Sequence, residues 1–138
     1  MAHLPEEVVE ALDEPENVKM LVTVDEQGNI NMVPVGSLMT IDDETIAYAS
    51  FFSGKTKANI ETTRKVAVGI FQPPMEGYQV KGTFVKWETS GAIFDKVATP
   101  AVEMLKEAGL SVTPNAVGII KVTEAYALSI PLAGEKLA

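Results

Sequence analysis

The sequence contains no cysteine, which excludes disulfides, thiolate nucleophiles and thiolate metal sites. Its only histidine is His3, close to the N-terminus, so histidine-based acid–base catalysis and histidine-ligated metal sites are not expected. No apolar run approaches the roughly 20 residues of a membrane-spanning helix, and the acidic start lacks the positively charged region of a signal peptide. These absences predict a cytoplasmic protein with no membrane partner.

Positive charge is also scarce. The formal net charge is −8, which argues against nucleic acids and anionic membranes as partners because their phosphates would be repelled. Lys19 is the only lysine or arginine before Lys55, but Lys55, Lys57, Arg64 and Lys65 then follow closely. We therefore expect any anion site in this region, and we interpret Lys57 and Arg64 as solvated charges on a helix face.

The chain of 138 residues, 46% of them hydrophobic, is long enough for one domain, residues 1–138, with a core of its own. Six stretches have the composition or alternation of strands and are joined mainly by short turns. In the last of them Val122, Tyr126, Leu128 and Ile130 alternate on one face. The predicted strands are Val18–Val24, Ile30–Val35, Thr45–Ser50, Val66–Phe71, Tyr78–Glu88 and Ala116–Ile130.

Three segments predict helices: Pro5–Leu12, Gly54–Thr63 and Gly91–Ala108, the last interrupted near Thr99-Pro100. Strands and helices do not alternate regularly, so a doubly wound parallel sheet is not expected. A small antiparallel barrel fits better, since closure removes exposed strand edges.

The stretch Ser53-Gly-Lys-Thr56 ends like a phosphate-binding P-loop. The position of the first P-loop glycine is Ala49, however, and no parallel sheet supplies the magnesium ligand, so we reject that interpretation. Lys55 and Thr56 still lie where a strand gives way to a helix, and free first-turn amides there can hold one phosphomonoester. The alternative is that Ser53 or Thr56 only caps the helix and Lys55 is a surface charge.

The order of these elements resembles the FMN-binding split-barrel family that includes pyridoxamine 5′-phosphate oxidase. The resemblance covers Val18 to Val122, and several weak motifs in the right order make it fairly specific. It implies a six-stranded antiparallel split β-barrel with short flanking helices. The segments that carry it are Tyr48-Ala-Ser50, Ser53-Gly-Lys55 before a helix containing Asn59, Lys65-Val-Ala-Val68, and Tyr78-Gln-Val-Lys-Gly82.

The resemblance implies FMN as the cofactor, with Lys55 on its phosphate and Thr56 and, less directly, Ser53 assisting. Other positions match the strands and turns that line the flavin in this family. Without the resemblance, residues 33–37 would be interpreted as a strand end and a turn. The matching positions are Val33, Pro34, Val35, Gly36, Ser37, Leu38, Tyr48, Ala49, Ser50, Gly54 and Gln79.

The chain departs from the oxidase in three places. Gly54 stands where the oxidase commonly has arginine, no arginine lies near Val33, and the tail from Ser129 to Ala138 lacks the tryptophan and arginine of the substrate segment. Oxidation of pyridoxamine phosphate is therefore not expected.

The function that follows is an FMN-dependent oxidoreductase or flavin reductase, since flavin performs the electron chemistry itself. The resemblance implies a homodimer with FMN at the subunit interface, and a reductase of this kind would use NAD(P)H or another redox molecule as partner. Two alternatives remain open: a non-catalytic FMN-binding electron carrier, and a ligand-binding barrel that has lost FMN. Asp42, Asp43 and Glu44 are interpreted as a solvated turn, with no metal site.

Overall fold

A computed structural model of the protein describes residues 2–51, 54–129 and 132–138. Within these residues the chain forms seven strands and three helices, which confirms the predicted mainly-β class. The helices are α1 (Glu6–Asp13), α2 (Lys55–Thr63) and α3 (Ala92–Glu107). The strands are β1 (Val18–Val24), β2 (Ile30–Pro34), β3 (Met39–Asp42), β4 (Thr45–Ser50), β5 (Lys65–Gln72), β6 (Glu76–Glu88) and β7 (Ala116–Ala127).

The strands form one antiparallel sheet in the order β2-β1-β5-β6-β7-β4-β3. Its two edges, β2 and β3, do not pair with each other, so the barrel is open. The structure has one strand more than the six predicted, because Met39–Asp42 had been assigned to a turn and its approach. A strand of four residues is too short to show a reliable alternation of apolar side chains.

The predicted interruption of the third helix is wrong, since α3 continues through Pro100. Proline has no backbone N–H, so the carbonyl of Lys96 loses its usual helical partner. Both Lys96 and Pro100 lie on the exposed side of the helix, where water can replace the missing donor.

The predicted alternation near the end of β7 is also wrong. The pairing of β7 with β6 shifts next to Gly82 and leaves Thr123 as an extra residue, and such a bulge reverses which side chains face the core. Ala125 is consequently buried, whereas Leu128 is 47% exposed and Tyr126 lies outside the core clusters. The strand ends at Ala127, and Ile130 lies outside the described residues.

Strand β4 is buried on both faces because the core has two parts. Ile46 and Tyr48 point into the larger hydrophobic cluster inside the sheet. Ala47 and Ala49 point into a smaller cluster beneath α3, as the alternation of a strand requires. Strand β4 thus connects the interior of the sheet with α3. In the described part of the chain, no helix has the length and apolar character needed to cross a membrane.

Candidate functional site

A cavity of about 540 Å³ lies between the end of β2, strand β4, the start of α2 and the second half of α3. This volume is in the range of small-molecule sites. Three of the predicted segments line it: residues 33–37, 48–50 and 54–56. The structure therefore brings together most of the residues that the resemblance had assigned to one ligand.

One end of the cavity is formed by the N-terminus of α2. The helix begins at Lys55 after Gly54, and its first turn contains no acidic residue. The buried Asn59 fixes α2 to the sheet by donating from Nδ2 to Thr23 Oγ1 on β1 at 3.2 Å. The first-turn amides and the Lys55 ammonium make this end of the cavity electropositive.

Thr56 is held at this end by Asn31 of β2, whose Nδ2 donates to Thr56 Oγ1 at 3.1 Å. The threonine hydroxyl accepts in this bond, so its own hydrogen stays available for an acceptor on a ligand.

Lys57 also lines the cavity, which corrects its interpretation as a solvated charge. Its Nζ lies 5.9 Å from the centre of the Trp87 ring, a cation–π arrangement. The Trp87 indole N–H donates in turn to Glu61 Oε2 at 3.0 Å. Arg64 remains exposed, as expected, and donates to the carbonyls of residues 84 and 85 on β6.

The turn after β2 forms the apolar wall and is fixed at both ends. At one end Val35 donates its amide to the carbonyl of Lys19 at 2.9 Å. At the other, Ser37 Oγ accepts the amide of Ala49 on β4 at 2.9 Å. Between them Gly36 lies against α3, since a Cβ at Gly36 would be 3.5 Å from Met104 Sδ.

Lys19 supports this wall from inside the core, where its side chain is almost fully buried. Its Nζ donates to the carbonyls of Leu12, at the end of α1, and Leu38, just after the turn, at 2.9 and 3.0 Å. Burial lowers the pKa of Lys19, and the nearby carboxylates of Asp13 and Glu14 oppose that shift only in part.

Tyr48 lines the cavity from β4. Its hydroxyl is the one buried side-chain polar atom, in the described part of the chain, that has no hydrogen-bond partner. Burial, helped by the negative charge of Glu61, raises the pKa of Tyr48 far above its usual value, so the phenol stays protonated and able to donate.

Two predicted positions, Leu38 and Gln79, are not among the cavity-lining residues. Leu38 is fully buried in the core and contributes only its carbonyl to Lys19. Gln79 lies on β6 opposite Gly69, away from the cavity. Ser53 lies outside the described residues.

Sequence reasoning missed six cavity-lining residues: Asn31, Phe51, Lys57, Ala101, Met104 and Leu105. Phe51 and Lys57 directly follow predicted segments and could have been found by extending those segments. Asn31 is brought in by the packing of β2 against α2. The three on α3 are brought in by tertiary packing, which no local pattern announces.

In the acidic turn, Asp42 and Asp43 are exposed, as predicted, and Glu44 is half-buried. The three carboxylates lie within 4.8 Å of one another. His3 contacts two of them, with Nδ1 3.0 Å from Asp43 Oδ2 and Nε2 3.1 Å from Glu44 Oε1. These contacts raise the pKa of His3, mainly through the hydrogen bond to Asp43.

An open antiparallel barrel with a cavity at a strand–helix junction is typical of a small split-barrel protein. The sequence profile of the pyridoxamine 5′-phosphate oxidase family matches residues 4–128, and the chain belongs to this family. No protein with a curated description matches the chain.

Solved structures with the same fold support this assignment. HupZ of Group A Streptococcus is 27% identical over 98% of this chain and 99% of its own, with a TM-score of 0.77. A candidate pyridoxamine 5′-phosphate oxidase of Lactobacillus delbrueckii is 26% identical over 90% and 93%, with a TM-score of 0.69. An FMN-binding protein of Syntrophomonas wolfei has a TM-score of 0.75 over 90% and 88%, and its 20% identity shows the fold alone.

Proposed function

We propose that this chain is an FMN-binding flavoprotein that works as a homodimer, and that it is an FMN-dependent oxidoreductase or flavin reductase. The observation that carries the proposal is the two-ended cavity. One end has the cationic start of α2, and the rest is walled mainly by apolar side chains. A planar apolar ring system joined to a single phosphate has this distribution of charge.

The residues at the start of α2 fit a phosphomonoester. The first-turn amides, the Lys55 ammonium and the Thr56 hydroxyl are all donors, and a phosphate oxygen accepts from each. Because Asn31 already satisfies one lone pair of Thr56 Oγ1, the hydroxyl hydrogen is directed elsewhere. No carboxylate in the first turn opposes an anion.

The remaining walls fit a flat ring system. Pro34 has no amide to leave unpaired, and Gly36 allows close approach of the backbone. Tyr48 also belongs to these walls, while its protonated hydroxyl is buried without a partner among the described residues.

Flavin supplies electron transfer when bound, and the chain's own residues bind and orient it. No described cavity-lining residue is a carboxylate or a histidine, so the walls offer little acid–base chemistry. This observation also favours a second candidate, a non-catalytic FMN-binding electron carrier. Steady-state oxidation of NAD(P)H with an added electron acceptor separates the two: turnover indicates a reductase, and its absence in flavin-loaded protein indicates a carrier.

The outer face of the sheet supports the dimer. We call it the outer face: the exposed side chains of β2, β1 and β5 that point away from the core. Ile30 is 77% and Met32 is 61% exposed, and Val18 and Phe71 are about half exposed. Met32 pairs with Val22 across the strands, and Val18 pairs with Phe71, so these side chains share one surface. An apolar surface of this kind is typical of a protein interface, and a second copy presents a matching one.

Gln79 belongs to the same proposal. Gln79 lies on the same side of β6 as the exposed Lys81 and Thr83. It pairs with Gly69 of β5 and therefore points to the same side of the sheet as the outer face, away from its own cavity. Only a second copy packed on this face can bring a Gln79 side chain to a flavin, which is the arrangement that the family resemblance implies.

The first test is a visible absorption spectrum of the purified protein, recorded as isolated and after addition of FMN and dialysis. Retained bands of oxidised flavin, at one FMN per chain, are the expected result. A colourless protein that keeps no FMN after dialysis would leave the fold intact and contradict the function, and would favour the ligand-binding barrel without FMN.

A further inference from the structure

Helix α3 has two halves with different roles, divided at Pro100. The first half is anchored: Ile93, Phe94 and Val97 pack with the cluster on the outer side of β4 and β7. The second half begins with Ala101, which is the last helix residue in that cluster within the described chain.

Beyond Ala101 the helix serves the cavity more than the core. Met104 and Leu105 line the cavity, and Met104 is 45% exposed, which places it on the boundary between cavity and solvent. Its sulfur faces Gly36 and lies 3.5 Å from the position that a Cβ there would take. Met104 thus lies beside Gly36 at one side of the cavity.

The junction between the halves is weak in a specific way. Pro100 cannot donate to the carbonyl of Lys96, so the helix lacks one hydrogen bond where the halves meet. Both residues are exposed, and water can occupy the gap as it widens. Gly109, with a φ of +87°, ends the segment, and the amide of Leu110 donates to the carbonyl of Leu105 at 2.8 Å, so the end of the helix is capped. The second half is less constrained than the first because, among the described residues, Ala101 is its only member in a core cluster.

We propose that Met104 is the residue that controls ligand access to the cavity, and that the part of α3 after Pro100 pivots to lift Met104 from Gly36 when a ligand enters or leaves. The proposal rests on the function above, with FMN as the ligand. Movement of Met104 admits the apolar ring between α3 and the turn, while the phosphate seat at α2 stays fixed.

The kinetic test measures FMN association and dissociation by stopped flow, using Trp87 emission, in wild type and in Met104→Ala. The single tryptophan lies beside Lys57 of the cavity and reports binding. A residue that controls access slows both directions, so Met104→Ala should raise both rate constants, each by roughly fivefold from the apolar contact removed. Met75→Ala, an exposed methionine outside the cavity, is the matched control and should change neither. An increase in dissociation alone would mean a static wall and overturn the proposal.

Pro100→Ala tests the pivot. Alanine restores a donor for the Lys96 carbonyl, and one hydrogen bond corresponds to roughly a fivefold effect. Both rate constants should fall by about that factor while the ratio, and so the Kd, stays within roughly twofold. Unchanged rate constants in Pro100→Ala would overturn the pivot.

Amide hydrogen exchange of the free protein tests the same pivot without FMN. The amides of residues 102–105 should exchange roughly tenfold faster than those of 96–99 in wild type, and the difference should shrink in Pro100→Ala. Equal protection on the two sides of Pro100 would overturn the pivot even if FMN binds. If wild type binds no FMN but shows this difference in exchange, the proposed function is contradicted, while the pivot of α3 after Pro100 is supported.

Discussion

At the scale of single residues, the proposed phosphate site at the start of α2 depends on three side chains with different roles. Lys55 supplies positive charge, Thr56 supplies a hydroxyl, and Asn31 orients that hydroxyl from strand β2. Lys55 is exposed, so solvent and salt partly screen its charge in the free protein. Its electrostatic attraction is strongest for a phosphate bound next to the helix start.

Replacing Lys55 by alanine should weaken FMN binding by roughly 10- to 100-fold, the usual range for a hydrogen bond to a charged group. Equilibrium titration of FMN fluorescence measures the Kd. Lys65→Ala, which removes an exposed lysine at the start of β5, is the matched control and should bind FMN like wild type. Equal Kd values in all three proteins would show that the phosphate is held elsewhere.

How far the sequence predicts the site also depends on single residues. Lys55 and Thr56 were predicted because charge and helix start coincide in the sequence. Asn31 was missed because its role depends on β2 lying beside α2, a contact between residues 25 positions apart. Met104 was also missed, because its place at the cavity depends on how α3 packs against the turn after β2. In the sequence alone, a methionine on an amphipathic helix is more often a core residue.

At the scale of elements, the wall of the cavity is fixed by α1 through Lys19. The ammonium joins the last turn of α1 to Leu38, and Asp13 at the end of α1 accepts both the amide and the hydroxyl of Thr40 on β3, at 2.7 and 2.6 Å. Helix α1 thus holds the segment between the cavity turn and β3 at two points.

Lys19→Met should destabilise the fold. It leaves the buried carbonyls of Leu12 and Leu38 without a donor, and the loss of about 1–3 kcal/mol per group is partly offset because no ammonium is buried. We expect a net loss of about 1–2 kcal/mol in the free energy of unfolding by urea, followed by Trp87 emission. Lys96→Met, at an exposed position of α3, should be neutral. We call the two hydrogen bonds from Lys19 to Leu12 and Leu38 the Lys19 clamp. A Lys19→Met protein as stable as wild type would show that this clamp does not stabilise the fold.

The lowered pKa of Lys19 gives this clamp a pH dependence. In the alkaline interval below the unfolded value of 10.5, the native state loses the Lys19 proton while the unfolded chain keeps it. Stability rises with pH wherever the unfolded state binds more protons, so wild type should gain stability relative to Lys19→Met across this interval. Comparing the two proteins cancels the opposite contribution of Tyr48, whose raised pKa they share. If stability changes with pH in the same way in wild type and Lys19→Met, the pKa of Lys19 is not lowered in the native state.

The elements themselves were largely predictable, and the exceptions have physical causes. Strand β3 was missed because its pairing with β4 is irregular and its length too small for a pattern. Pro100 predicts a break because proline usually ends a helix, but its solvent-facing position removes most of the free-energy cost of the missing hydrogen bond. The bulge at Thr123 left no sign in the residue types, since it is imposed by the pairing of β6 with β7.

At the scale of the whole molecule, the proposed dimer sets an apolar attraction against a long-range repulsion. Each chain carries a net charge of −8, so two copies repel each other until the outer faces meet. Added salt screens that repulsion and should therefore strengthen association. This sign distinguishes an apolar interface from one built on ion pairs, which salt would weaken.

Met32→Glu tests the interface and the completeness of the site together. In a twofold interface the substitution buries two unpaired carboxylates, and one such charge costs about 3–5 kcal/mol, so association should weaken by at least roughly 100-fold. Sedimentation velocity over a range of protein concentrations measures it, and Met75→Glu, an equally exposed methionine in the turn before β6, is the control. If Gln79 comes from the second copy, the Met32→Glu monomer should also bind FMN more weakly although every cavity residue of its own is intact. A wild-type monomer would contradict the dimer, and a Met32→Glu monomer with undiminished FMN affinity would show that each chain holds a complete site.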